Sequence, residues 1–325
     1  MKQNNTPHWG KRWLICCLLI SFVACDGREG DTASSTNGDA EKPRVALIIK
    51  SLANEFFINM AASAKAHHLA NNEQYELSVN GIKNESDLAQ QVNLVEQMMA
   101  TGVNIIVLAP ADSKGLLPVI SRAVAQGIIV VNIDNKFDSD LLTEMQLNIP
   151  FVGPDNREGA RMVGHHLANY LKAEDQVAII GGIPSAFNAQ QRRAGFEDAM
   201  KASGIDIVSV QSGDWEQAKA AAVASALLAE YPKLKALLCA NDSMALGAVA
   251  AVRQAGRTGA VKVVGFDNIS AANELVQTGE LLATADQHGD QLAVFGIEYA
   301  LQILDTGAVP ADRKTPVDLI TAMQD

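Results

Sequence analysis

Three polar clusters stand just past the ends of apolar runs: Asp134-Asn135 after 128–133, Asn241-Asp242-Ser243 after 235–239, and Asp267-Asn268 after 261–266. An aspartate accepts charge-assisted hydrogen bonds, and an amide both donates and accepts. Carboxylates and amides set side by side suit a neutral partner rich in hydroxyls. Reactive arrangements are missing from the pattern. No strand-like run is followed by Gly-x-Gly-x-x-Gly, and neither the P-loop spacing nor a Gly-x-Ser-x-Gly elbow occurs. Four of the six histidines fall as His67-His68 and His165-His166. Neighbours on a helix do not share a face, so no metal site is expected, and no cofactor either. Binding groups without a nucleophile or base system point to a binder and not an enzyme.

The apolar runs are the elements that must hold these groups. Runs at 235–239 and 261–266 are short, continuous and bounded by turn residues, as strands buried on both faces of a parallel sheet are. Between them Ala245, Val249 and Val252 give one apolar helix face. From Arg44 the pattern alternates strands at 45–49, 75–79, 105–108 and 128–133 with helices, one spanning 85–100. It begins again after 151–156, which leads into a helix, with strands at 177–181 and 205–209 and helices at 188–203 and 216–229. Repeated strand–helix units predict an α/β chain of two similar doubly wound lobes, with a cleft between their carboxyl edges. Pattern alone does not place the tail from 283 onward.

At 325 residues and 48% hydrophobic, the chain is long enough for two full cores. A formal net charge of −11 argues against nucleic acid, whose phosphates require clustered Lys and Arg. Cys16, Cys17 and Cys25 lie in the first 25 residues, which leaves Cys239 in the body as a buried small hydrophobe. Residues 1–24 form a targeting segment: Lys2, Lys11 and Arg12 precede an apolar stretch at 13–24 that is too short to span a bilayer comfortably. Phe22-Val-Ala-Cys25 resembles the bacterial lipobox, whose cysteine is lipid-modified, although Phe22 stands where leucine is usual. Ordinary cleavage near Ala24 is the competing reading. Asp26 resembles an inner-membrane retention signal. Residues 25–43 hold no large apolar side chain before Pro43 and read as a flexible tether.

Asn54-Glu-Phe-Phe57, Ala109-Pro-Ala-Asp112, Asn241-Asp-Ser-Met-Ala-Leu-Gly247 and Val263-Val-Gly-Phe-Asp267 occur in order and at matching spacing. Together they resemble the periplasmic sugar-binding proteins of the ribose-binding type, which share a fold with the core of LacI-type repressors. A targeting segment stands where those repressors carry a helix-turn-helix, which disfavours DNA regulation. The resemblance implies the type I periplasmic binding protein fold, with three crossings between the lobes. The first lobe is then 44–153 plus 288–318, and the second 154–287 plus 319–325. It implies a monomer in the periplasm, lipid-anchored through Cys25, that delivers a sugar or polyol to an ABC permease of the inner membrane. A sensor presenting its closed form to a chemoreceptor or membrane kinase is the alternative.

By the same resemblance the site takes Lys50, Asn54, Phe56, Phe57, Asp134 and Asn135 from the first lobe. The second supplies Gln190, Arg192, Trp215, Asn241, Asp267 and Gln287, the last at a hinge. Sugar C–H faces pack on the aromatic rings, and the carboxylates take the hydroxyls. Three positions depart from the family. Asn135 and Gln190 stand where arginines are usual, and Lys50 where a small polar residue is. An unmatched buried hydroxyl costs about 1–3 kcal/mol, so the expected ligand is another pentose, a hexose or a polyol in place of D-ribose.

Overall fold

A computed structural model describes residues 41–322. The targeting segment, Cys25 and nearly all of the tether lie outside them, as do residues 323–325.

The first half alternates strictly: β1 (Arg44–Ser51), α1 (Glu55–Ala70), β2 (Glu76–Ile82), α2 (Leu88–Ala100), β3 (Ile105–Leu108), α3 (Leu117–Ala125), β4 (Ile129–Ile133), α4 (Ser139–Glu144) and β5 (Phe151–Pro154). The second repeats it: α5 (Asn156–Ala168), β6 (Gln176–Gly181), α6 (Phe187–Ala202), β7 (Asp206–Ser212), α7 (Gln217–Glu230), β8 (Leu234–Cys239), α8 (Asp242–Gln254), β9 (Lys262–Val264), α9 (Ser270–Gln277) and β10 (Ala283–Asp286). The tail adds α10 (Gly289–Thr306), β11 (Arg313–Thr315) and β12 (Asp318–Thr321).

Central strands are largely apolar because helices cover both faces of each sheet. Every residue of β3 is buried, as are Val45, Ala46, Leu47, Ile48 and Ile49 of β1. Each such Val, Leu or Ile contributes about 1.5–3 kcal/mol of transfer free energy. The sheet orders are β2-β1-β3-β4-β5-β11 and β7-β6-β8-β9-β10-β12. Their first five strands follow one rule, with the chain reversing direction of travel between β1 and β3 in one sheet and between β6 and β8 in the other. Loops diverge at such a switch point and leave a crevice beyond the carboxyl ends. The pairs are parallel except β10 with β12. The two doubly wound lobes expected from the sequence are thus present. Membership of β5 and β11 in the first sheet, and of β10 and β12 in the second, makes the chain pass between sheets three times.

Several local expectations give way. The helix expected over 85–100 starts at Leu88, because Asp87 is its N-cap and accepts the Gln90 N–H at 3.0 Å. Glu85 is thereby left in the loop after β2. Residues 151–156 lead into a helix as expected, α5, but Phe151–Pro154 are also a full strand of the first sheet. The short helix α4 has no sequence signal beyond Asp138, which caps it. Cys239 is fully buried in β8, and burial pushes its thiol above the ordinary range.

Candidate functional site

The carboxyl edges of both sheets face a small cavity. Strand ends deliver its walls. From the first lobe come Lys50 at the end of β1, Asn54, Phe56 and Phe57 at the start of α1, Glu85 after β2, and Asp134 after β4. From the second come Asn188 and Arg192 on α6, Trp215 after β7, Asn241 at the start of α8, Asp267 after β9 and Gln287 after β10.

Positive φ angles, unusual for side chains with a Cβ, concentrate here: Asp134 at 61°, Trp215 at 68°, Asp267 at 122° and His288 at 53°. Each costs about 1–3 kcal/mol, a strain that glycine would relieve. Asp134, Trp215 and Asp267 all turn their side chains onto the cavity from these corners, a position a glycine would leave bare.

Two ion pairs organise the polar wall. Lys50, 2% exposed, places Nζ 2.9 Å from Asp134 Oδ2. Across the cavity Arg192 donates from Nε to Asn156 Oδ1 at 2.7 Å, and from Nη1 to Ala240 O at 2.8 Å and Asp267 Oδ1 at 3.3 Å. Its guanidinium lies 3.8 Å from the Phe266 ring centroid, which supports it from behind. Gln287 Nε2 donates to the same Asp267 oxygen at 2.6 Å. Burial pushes the Asp267 carboxyl well above the ordinary aspartate value, and Arg192 opposes that rise. Burial also pushes Glu85 up to about 7; Lys50 and Asn54 hold it down, while Asp134 and Glu216 add to it.

Aromatic rings close two sides. Phe56 and Phe57 meet edge to face with centroids 5.0 Å apart. Trp215 is 4% exposed and lies against Gly182, where an added Cβ would come within 2.0 Å of the indole. Gly289 makes the same room for Phe56. Gly182→Ala is therefore expected to push the indole out of place and weaken ligand binding roughly two- to tenfold, given an aromatic contact worth about 0.5–1.5 kcal/mol beyond its area. Titration calorimetry beside tryptophan fluorescence checks this, and unchanged affinity would remove Trp215 from the wall.

The cleft is held shut by caps that cross it. Neither α6 nor α9 has a side-chain cap of its own. Ser113 Oγ accepts the Phe187 N–H at 2.9 Å, Asn135 Oδ1 the Asn188 N–H at 3.2 Å, and Glu55 Oε1 the Ser270 N–H at 2.8 Å. First-lobe side chains thus satisfy the orphan donors of second-lobe helices.

Ten of the twelve residues expected at the site are on the cavity wall, and two are not. Asn135 is fully buried behind it, with Nδ2 donating to Pro110 O at 3.0 Å and Oδ1 accepting the Asn188 N–H at the start of α6. The left-handed turn at Asp134 sends adjacent side chains to opposite sides. Gln190 is exposed and donates to Pro184 O at 2.9 Å. Two residues along a helix are about 200° round from Asn188 and Arg192, which share a face at i, i+4. The helix register carried that signal for Asn188. Glu85 had none, because its place depends on Asp87 starting α2. Asn54 and Asn241 also serve as caps: their Oδ1 atoms accept from Phe56 N–H at 3.1 Å and Met244 N–H at 3.0 Å. Among the described residues no cluster of His, Cys, Asp and Glu is arranged to hold a metal.

A two-lobed α/β fold with a sealed, polar and aromatic cavity at the switch points defines a binder of small hydroxylated solutes. The chain belongs to the periplasmic binding protein domain family, whose sequence profile matches residues 45–308. It is 56% identical over 287 residues to the D-ribose/D-allose-binding protein of Pseudomonas aeruginosa, covering 87% of this chain and 90% of that one. An ABC transporter solute-binding protein from Burkholderia multivorans, solved with an unknown ligand interpreted as α-D-erythrofuranose, superposes with a TM-score of 0.85. It is 58% identical, and the match covers 87% of this chain and all of that one. The counterpart from Actinobacillus succinogenes with bound D-allose gives a TM-score of 0.81 at 33% identity, covering 86% and 98%. The family and fold that the sequence resembled are those of the protein, and its class is the solute-binding component of an ABC-type sugar importer.

Proposed function

We propose that the protein captures a free aldose of five or six carbons, D-allose and D-ribose foremost. The observation that carries this reading is a set of buried polar atoms without a protein hydrogen bond. Asp134 Oδ2, Asn188 Oδ1 and Gln287 Oε1 are acceptors, and Trp215 Nε1 is a donor. Asp134 Oδ2 lies beside Lys50 Nζ, but off the line of a hydrogen bond. Unmet buried polar atoms cost about 1–3 kcal/mol each. Hydroxyls, which donate and accept at once, meet all four. The relatives named for ribose and allose support the same class.

In this reading ligand bridges a first lobe of 44–153 plus 288–318 and a second of 154–287 plus 319–325, and shifts an open–closed equilibrium. The closed monomer then docks on the permease. A lipid on Cys25, with residues 25–43 as tether, holds it to the periplasmic face of the inner membrane; the lipobox-like Phe22-Val-Ala-Cys25 supports that anchor. Lys50, Asn188 and Glu85 take the polar work of the arginines that Asn135 and Gln190 replace.

A thermal-shift screen against aldopentoses, aldohexoses, polyols and inositols tests it. Ligand at a hundred times Kd adds about 2.7 kcal/mol of stability. Selective stabilisation by D-allose or D-ribose is expected. Stabilisation by no sugar of the panel would overturn the reading.

A further inference from the structure

Five charged side chains share the cavity: Lys50 and Arg192 against Asp134, Glu85 and Asp267. Two direct ion pairs, Lys50 with Asp134 and Arg192 with Asp267, match four of them. Glu85 is the fifth. It is 2% exposed and makes no salt bridge among the described residues. Its only hydrogen-bonding partner there is neutral, Asn54 Nδ2 donating to Oε1 at 3.0 Å, which leaves Oε2 free. A buried carboxylate without its own counter-charge is costly, and neutralisation is the usual way out.

We propose that Glu85 enters the closed site as the neutral acid, taking up one proton as the lobes shut, and donates a hydrogen bond from Oε2 to a ligand oxygen. This rests on the sugar-binding reading and deepens it: the site selects a ligand with an acceptor at that point, and capture is linked to pH. Glu85 sits where the two lobes meet, on the wall between the sealed cavity and an outer cleft lined by Ser51, Trp215 and Glu216. Its backbone N–H approaches Glu216 Oε1 at 3.5 Å across that line. Opening the lobes removes Trp215 and Glu216 from it and returns it to water.

The charged groups facing Glu85 are Lys50 from β1, Asp134 from the end of β4 and Glu216 from the start of α7. Lys50 is already matched by Asp134, and Glu216 adds negative charge. Asp242 is also held above its ordinary value by burial, but its partners Ile269 and Thr284 belong to its own lobe, so closure does not change it. The sign follows from the direction of the Glu85 shift. The carboxyl stands at about 7 in this closed form; if opening returns it toward the ordinary value of 4.5, the closed form holds more protons between those values. Closure is favoured at low pH, and the advantage is lost as pH rises through 7.

The test is calorimetric binding of D-allose, or of D-ribose where that sugar stabilises the protein more, in buffers of different ionisation enthalpy. At pH 6 the purified protein should take up about 0.9 proton per ligand, and affinity should fall roughly seventyfold from pH 5 to pH 8. In Glu85→Gln the uptake and the pH slope should both vanish. Binding without proton uptake in the unaltered protein overturns the proposal while leaving the function intact, as does uptake that persists in Glu85→Gln and so belongs to Asp267. Infrared difference spectra keep the question decidable if the variant binds poorly. A protonated-carboxyl stretch should appear on adding sugar to the unaltered protein, and its absence would equally overturn the proposal. No binding of any sugar fails the function reading instead.

Discussion

Asp267→Asn is expected to weaken sugar binding at least a hundredfold while leaving the protein folded. Asparagine has the shape of aspartate and tolerates the φ of 122° held at this corner. Packing and backbone therefore stay as they are, and the charge alone is removed. The carboxylate is the acceptor on which Arg192 and Gln287 converge, and it faces the cavity. An amide that keeps its oxygen toward Arg192 and Gln287 turns its NH2 to the sugar, where the hydroxyl must then accept a neutral bond in place of donating to a carboxylate. Losing a charge-assisted bond and misplacing a donor costs about 3–4 kcal/mol, which is roughly a hundred- to a thousandfold. Calorimetry reads the affinity and a melting curve reads the fold. Affinity within threefold of the unaltered protein, in a folded variant, would take Asp267 out of the site.

Arg192→Ala is expected to damage stability as well as binding. The guanidinium is 2% exposed, donates to Asn156, Ala240 and Asp267, and stacks on Phe266. Its removal leaves Asp267 as a buried charge without its partner, which costs about 3–5 kcal/mol, and frees the Ala240 carbonyl and the Asn156 oxygen as well. Denaturant unfolding should lose stability of that size, with an unchanged slope. Arg192→Lys should recover less than half, because one ammonium cannot serve three acceptors set around a planar fork. Full recovery by lysine would show that charge alone matters there and that the fork geometry does not.

The two predictions differ because the second lobe holds Arg192 whether or not ligand is present, while the free face of Asp267 points to the cavity. All three acceptors of Arg192 come from its own lobe. The first lobe differs: Lys50 and Asp134 form its pair, with Glu85 unmatched beside them. The charges of the cavity wall are thus divided between a lobe with a single ion pair and a lobe that carries an ion pair and an excess carboxyl. Closure brings the two into one low-dielectric space, where an unpaired charge is felt most.

Much of this was legible in the chain alone. Continuous apolar runs at β1, β3, β6 and β8 can be buried on both faces only in a helix-covered sheet, so the α/β class follows from hydrophobicity. Polar corners after β4, β8 and β9 named Asp134, Asn241 and Asp267 because a strand end leaves the next residues at the crevice. What the sequence did not decide turns on direction and partnership. Asn135 follows Asp134 by one residue, yet a left-handed corner separates their side chains, and Asn135 became a cap for α6. Gln190 lies on the far face of α6 from Arg192, and a shift of helix register by two residues decides that. Glu85 reached the cavity because Asp87 captured the start of α2. Its charge problem comes from burial and from Asp134 of its own lobe, and Glu216 arriving from the other lobe adds to it. Hydrophobic pattern is a local property and survives in the sequence; which side chains meet, and which charge is left without a partner, is a property of two lobes pressed together.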